Sequence, residues 1–187
     1  MILTLFRRTP REDTIAVLYG AIVAQARDPA FYRNYGVPDT SNGRLEMIVL
    51  HAILVLSRLE TEGGAVRPLG QALFDYFCGD VDANLREMGV GDMAVPRKMK
   101  AVAEAFYGRK RAYEAALAVP GLAELSAALA RNVYPESDET AEAVQLATYM
   151  REAVDKLAAI DGTALLRGHV AFPDPATVVA PQPTGAP

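Results

Sequence analysis

The chain has 187 residues, the size of one domain and enough to enclose a hydrophobic core. Apolar residues make up 51% and charged ones 22%, which excludes wholesale disorder; the net charge of −4 excludes a general DNA binder but leaves room for local basic patches. The lone Cys78 forms no internal disulfide and no zinc cluster, which suits a reducing compartment and a role as a small apolar filler.

The start, Met1-Ile2-Leu3-Thr4-Leu5-Phe6-Arg7-Arg8, places its apolar residues before its arginines, the reverse of a secretory signal. It reads either as a flexible leader or as a short apolar face for an anionic membrane. Thr9 and Glu12 have capping-box spacing and Pro10 suits a first turn, so a helix is expected from Pro10 to Arg27. Ile15, Leu18, Ile22, Val23 and Ala26 share its buried face. Asp28-Pro29 ends or resets it, and Phe31 to Gly43 reads as an ordered loop.

From Arg44 to Leu59 the chain is apolar almost all round, as for a helix at the centre of a bundle. Its apolar run, Met47 to Leu56, is interrupted by His51 and falls short of the ~20 residues that span a bilayer. Pro68 opens a further helix striped by Leu69, Leu73, Phe77, Val81 and Leu85, weakened or kinked by Gly79 and ended by Gly89. Pro96 starts the next, which reaches Ala118 with Met99, Val102, Phe106 and Tyr113 inward and Gly108 allowing a neighbour to approach. Gly121 to Val133 forms a shorter helix; Ser137 or Asp138 caps a last long one ending at Ile160, with Asp161-Gly162 as its stop and a helical turn at Ala164 to Arg167. From Phe172 five prolines forbid regular structure, and a mobile tail is expected. The fold class is therefore all-α: a single-domain bundle of about six helices with short connectors and a disordered Pro-rich C-terminal tail.

Few residues offer chemistry. Metal ligation would rest on His51, His169, Cys78 and scattered carboxylates without ligand spacing, so no metal, cofactor or catalytic residue is assigned. His51 reads as a satisfied core histidine. Asp75, Asp80 and Asp82 suggest a magnesium-dependent helical enzyme, but spacings of five and two spread them over different faces. Charge is unevenly placed: Asp75, Asp80, Asp82, Glu87 and Asp92 load one helix and its exit, whereas Arg97, Lys98, Lys100, Arg109, Lys110 and Arg111 load the next. Either the two rims attract each other weakly, or Arg97, Lys98 and Lys100, placed against the helix dipole, are kept for an acidic partner, an anionic membrane surface or a ribosome.

The block Leu85-Arg86-Glu87-Met88-Gly89-Val90-Gly91-Asp92-Met93-Ala94-Val95-Pro96-Arg97-Lys98-Met99-Lys100, continuing to Ala105-Phe106-Tyr107-Gly108-Arg109, closely resembles the signature of the ubiquinol-cytochrome c chaperone family. In the same order the chain resembles that family at Tyr19 to Arg27, Gly36 to Thr40, Leu45 to His51 and Gln71 to Asp75; after Leu117 the likeness rests on a helical pattern and Phe172-Pro173. The resemblance implies a bacterial, cytoplasmic, non-enzymatic chaperone, peripheral at the inner face of the inner membrane. Its client would be newly synthesised cytochrome b, for biogenesis of ubiquinol-cytochrome c reductase (respiratory complex III). Whether a small companion assembly factor joins it stays open.

The contact zone so implied is Leu85 to Arg111 plus the Gly36–Thr40 loop, with Arg86, Glu87, Gly89, Gly91, Asp92, Pro96, Arg97, Lys98, Lys100, Tyr107, Gly108 and Arg109 as partner-binding residues. Residues 1–9 would be the leader, 10–170 the helical chaperone domain and 171–187 the tail. Shielding a membrane segment needs an apolar groove, for which Tyr19, Phe31, Tyr32, Tyr35, Phe106, Tyr107 and Tyr113 are candidates with Met88, Met93 and Met99; most belong to the core and two or three are expected outside. Two rivals stand beside this reading: a peripheral lipid-binding module using the basic helix, and a small all-α enzyme using Asp75, Asp80 and Asp82.

Overall fold

The computed structural model describes residues 10–135 and 141–180. Among these, eight helices and no strand are present: α1 (Pro10–Ala26), α2 (Pro29–Arg33), α3 (Ser41–Glu62), α4 (Arg67–Glu87), α5 (Val95–Leu117), α6 (Ala123–Val133), α7 (Ala141–Ala158) and α8 (Gly162–Leu166). The capping expected of Thr9 and of Ser137 or Asp138 falls outside the described residues, as does the leader.

The all-round apolar α3 is the axis of the bundle and packs against α1, α4, α6 and α7. Its Met47, Leu50, Ile53, Val55 and Leu59 are buried, as are Leu18 and Ile22 of α1, Leu73 and Phe77 of α4, Leu125 and Leu129 of α6, and Leu146 and Met150 of α7. Helix α5 lies between α4 and α6 and gives Phe106 and Tyr113 to the same core. Helix α4 is continuous through Gly79. It ends in a glycine-closed motif: Gly89 has φ +80°, its N–H donates to Arg86 O and that of Val90 to Leu85 O.

Three boundaries depart from the sequence reading for local reasons. Asp28 ends α1 and also caps α2, its carboxylate accepting from Ala30 N–H at 2.8 Å, while Pro29 occupies the first helical position. The expected loop from Phe31 therefore opens inside a helix. Thr40 caps α3 through Gly43 N–H, so that helix starts at Ser41 rather than Arg44. Asp161, expected to close α7, instead caps α8 through Ala164 N–H.

The described part of the proline-rich stretch, through Ala180, has no regular structure, yet it is seated on the bundle. Gln25 Nε2 donates to Pro173 O at 3.0 Å, Tyr35 Oη to Pro175 O at 2.8 Å and Lys156 Nζ to Phe172 O at 2.8 Å, and Val178 is buried. These bonds satisfy carbonyls that have no helix to bond within. The Phe172 ring meets His51 edge-on at 5.1 Å. Residues 181–187 lie outside the described region.

The polar core begins at the same place. His51 Nδ1 donates to Met47 O at 2.8 Å, so Nε2 is left to accept from Tyr149 Oη at 2.8 Å. Tyr149 Oη in turn accepts from Gln25 Nε2 at 3.1 Å. His51 is a fully satisfied core residue with no free nitrogen for a metal or a thiol.

Candidate binding face on the α4–α5 hairpin

Helical period separates the neighbouring aromatics of α5. Phe106 and Tyr113, seven residues apart, turn inward, whereas Arg97, Lys100, Glu104, Tyr107 and Arg111 recur at spacings of three and four and are all exposed. Tyr107 is 47% exposed and braced from behind: its ring lies 5.1 Å from Phe74 and 5.9 Å from Phe106. Phe74 and Phe77 close on Phe106 at 5.0 and 5.3 Å, so three phenylalanine rings from two helices stand behind the exposed tyrosine. At the hairpin tip Met88 and Met93 are 72% and 96% exposed.

The tip is tied by Arg86, whose Nε reaches Asp82 Oδ2 at 2.6 Å and whose Nη1 reaches Asp92 Oδ1 at 2.5 Å. The turn then enters α5 through Gly91 O, which accepts from Ala94 N–H. No side chain caps α5 and no acidic residue stands in its first turn. Arg97 and Lys98 thus face the dipole's positive end, and among the described residues neither enters a salt bridge. Lys100 makes one long exposed pair with Glu104 at 3.7 Å, a contact of little energy.

The implied contact residues therefore divide. Arg86, Gly89, Gly91 and Asp92 build the tip; Glu87, Pro96, Arg97, Lys98, Lys100 and Tyr107 are exposed on it or on the helix it launches. Arg109 turns the other way. Its Nε and Nη2 form a fork on the Glu46 carboxylate at 2.7 and 2.5 Å, with Glu46 only 5% exposed. Burial works against the Arg109 charge, but the bonds and charge of Glu46 prevail and raise its pKa. Lys110 likewise reaches Glu60 at 2.8 Å and Glu114 at 2.7 Å. Arg109–Glu46 and Lys110–Glu60 tie α5 to α3 in place of the expected attraction between the α4 and α5 rims, while Lys110–Glu114 stays within α5. Gly108 admits no neighbour; a Cβ there would meet nothing within 4 Å.

The Gly36–Thr40 loop is fastened to its surroundings: Val37 N–H bonds Phe31 O, Asp39 pairs with Arg44 at 2.7 Å, and Gly36 lies against Glu142. Of the proposed groove aromatics, Tyr19, Phe31, Tyr35, Phe106 and Tyr113 are core residues; Tyr107 is exposed and Tyr32 half-buried. Met88 and Met93 stand outside and Met99 is half-buried. Two residues escaped the sequence reading. Glu46 was signalled by a carboxylate on the greasiest helix, which demands a counter-charge; Tyr76, 39% exposed and 5.1 Å from Tyr19, carried no such signal.

The aspartates stay apart, each with its own partner: Asp75 accepts from Gln71 at 2.7 Å, Asp80 from Tyr19 Oη at 2.8 Å, and Asp82 binds Arg86. Among the described residues no group of three or more His, Cys, Asp or Glu is placed to hold a metal ion. Burial, and then Asp75, push the Cys78 thiol up, away from reactivity. No helix among them is long and apolar enough to cross a membrane.

Fold and surface together define an all-α bundle whose hairpin displays a braced aromatic, Tyr107, and the exposed cations Arg97 and Lys98. Residues 33–172 match the ubiquinol-cytochrome C chaperone family, and the chain belongs to that family. It is 26% identical over 150 residues to ubiquinol-cytochrome-c reductase complex assembly factor 1 of Xenopus laevis, spanning 80% of this chain and 74% of that protein. It is also similar to the crystal structure of the Cbp3 homolog from Brucella abortus, with a TM-score of 0.85, 42% identity, and coverage of 96% of this chain and 100% of that one.

Proposed function

We propose that this chain is an assembly chaperone for ubiquinol-cytochrome c reductase, that it holds newly synthesised cytochrome b at the inner face of the inner membrane, and that it performs no covalent chemistry. One observation carries the assembly role: the family match runs over residues 33–172, and so through α3 to α8. The α4–α5 hairpin supports the choice of contact face. An unassembled membrane subunit offers apolar surface that must be kept from water, and its loops supply polar and charged groups. Tyr107, Met88 and Met93 answer the first need, the methionines adapting to varied side chains; Arg97 and Lys98 answer the second.

The cations cost α5 some dipole energy with no internal pair to offset it, which fits retention for a partner. The separated aspartates lend no support to the enzyme rival.

The test is co-purification of cytochrome b with the tagged chain, comparing wild type with Tyr107→Asp in cells without their own copy. Tyr107 is half outside, so the variant is expected to keep its far-UV circular dichroism while recovered cytochrome b falls about tenfold or more, the scale of an aromatic anchor lost from an interface. Full recovery of cytochrome b with the charged variant would place the client elsewhere. Loss of helicity would make Tyr107 a core residue.

A further inference from the structure

Away from the hairpin, in the N-terminal quarter of the chain, three arginines line one hollow. Arg27, Arg33 and Arg44 line a surface cavity of about 520 Å³ with Pro29, Tyr32 and Asp39. The chain geometry brings them there: Arg27 follows the last residue of α1, Arg33 is the last of α2, and Arg44 lies near the start of α3. Two capped helix starts, Asp28 on α2 and Thr40 on α3, fix the backbone that carries the three arginines around one space.

Their charges are poorly compensated. Asp39 is the one carboxylate in the lining and is taken by Arg44 at 2.7 Å. The nearby Asp28 carboxylate is turned to Ala30 N–H as the α2 cap. Among the described residues Arg27 and Arg33 enter no salt bridge. Tyr32 forms a fixed wall, its hydroxyl donating to Ala26 O at 2.8 Å and therefore unavailable to a ligand as donor. Partial burial raises the pKa of that phenol, while Arg44, Asp39 and Arg27 all act on it, the two arginines pulling it down; the charged groups are thus within electrostatic reach of one point.

We propose that this cavity binds a phosphate group, carried either by a small soluble ester or by an anionic lipid headgroup. Planar guanidinium forks match phosphate oxygens two at a time, and the cavity offers arginines without a lysine. Two uncompensated cations match the charge of a phosphate, and the volume exceeds what bare phosphate fills, leaving space for the glycerol or sugar attached to it. The apolar part of the lining comes from Pro29, the Tyr32 ring and the arginine stems, with no aliphatic side chain to bed an extended acyl chain. This site stands apart from the chaperone reading and survives if that reading fails.

The test uses the full chain and two probes: glycerol 3-phosphate by titration calorimetry, and vesicles of phosphatidylglycerol in phosphatidylcholine by co-sedimentation, with pure phosphatidylcholine as blank. At least one probe is expected to bind saturably, and Arg27→Gln with Arg33→Gln to weaken it about tenfold or more, the scale of losing charge-assisted bonds. Arg67→Gln with Arg131→Gln, the same change of net charge at exposed positions outside both the cavity and the hairpin, leaves that binding as it is. Asp39→Asn tightens binding about threefold, whereas Asp155→Asn does not, since only the former stands beside the ligand.

Response to glycerol 3-phosphate assigns a soluble ester; response to vesicles alone assigns the lipid headgroup. Absence of binding to both probes overturns the proposal, as does equal loss in the two double variants, which would mark a diffuse charge effect. Far-UV circular dichroism accompanies every variant, and if the double variant unfolds, Arg33→Gln alone against Asp39→Asn decides with opposite signs.

Discussion

Burial of His51 makes one residue a sensor of proton concentration for the whole bundle. Desolvation drives its pKa down to about 4 from the usual 6.5, against the opposing pull of its bond to Met47 O. Between those values the unfolded chain binds a proton that the folded chain refuses, so stability is complete above about pH 6.5 and is lost as pH falls toward 4. From pH 7 to pH 5 this single group is expected to remove about 2 kcal/mol. Urea unfolding of wild type and His51→Gln at both pH values checks it: the variant starts less stable but loses less on acidification. Parallel losses in the two proteins would assign the acid sensitivity to other groups. His51 was legible as a core residue because a lone histidine on an all-apolar helix has nowhere else to go. Its partner Tyr149, ninety-eight positions away along the chain, was not.

Among the elements, those read correctly carried their own boundaries. Helix α4 has Pro68 at its start, a four-residue apolar stripe and a glycine demanding positive φ at its end, all within one stretch of chain. Helix α2 was missed because Asp28-Pro29 sends two messages at once, a stop for the preceding helix and a cap plus first-turn proline for the next. The turning of Arg109 toward Glu46 required knowing that α5 crosses α3, which no local pattern states. Glycines separate the same way. Gly108 sits in a helix interior with open space beside it, so Gly108→Ala is expected to stabilise by about 0.5–1 kcal/mol through the lower backbone entropy of the unfolded chain. At Gly43 a Cβ would stand 2.0 Å from Pro38 O, and the loop that supplies this carbonyl also positions the Thr40 cap. Gly43→Ala is therefore expected to cost about 1–3 kcal/mol, the range for overpacking. Thermal unfolding of the two variants should move in opposite directions; equal shifts would mean that helix propensity alone decides both.

At the scale of the molecule, the C-terminal stretch acts as a strap across helices that the sequence places far apart. Its carbonyls at Phe172, Pro173 and Pro175 accept from Lys156 of α7, Gln25 of α1 and Tyr35 of the α2–α3 connection, while Phe172 covers His51 of α3. Prolines made it unreadable as structure, since they forbid helix and strand but not docking of an irregular chain whose carbonyls remain free to accept. Tyr35 and Tyr149 are wholly buried beneath it, so removing the strap takes the acceptor from the Tyr35 hydroxyl and opens the His51 network to water. A chain ending at Val170 is expected to lose about 2–4 kcal/mol of unfolding free energy, from exposed apolar area and unsatisfied buried donors. Far-UV circular dichroism changes little because no helix is removed, whereas the near-UV tyrosine signal changes with the environment of Tyr35 and Tyr149. A chain ending at Ala180 keeps the Phe172, Pro173 and Pro175 contacts and serves as the reference. Equal stability of the two truncations would show that these bonds and the Phe172 ring contribute nothing net, leaving the eight helices to hold the bundle by themselves.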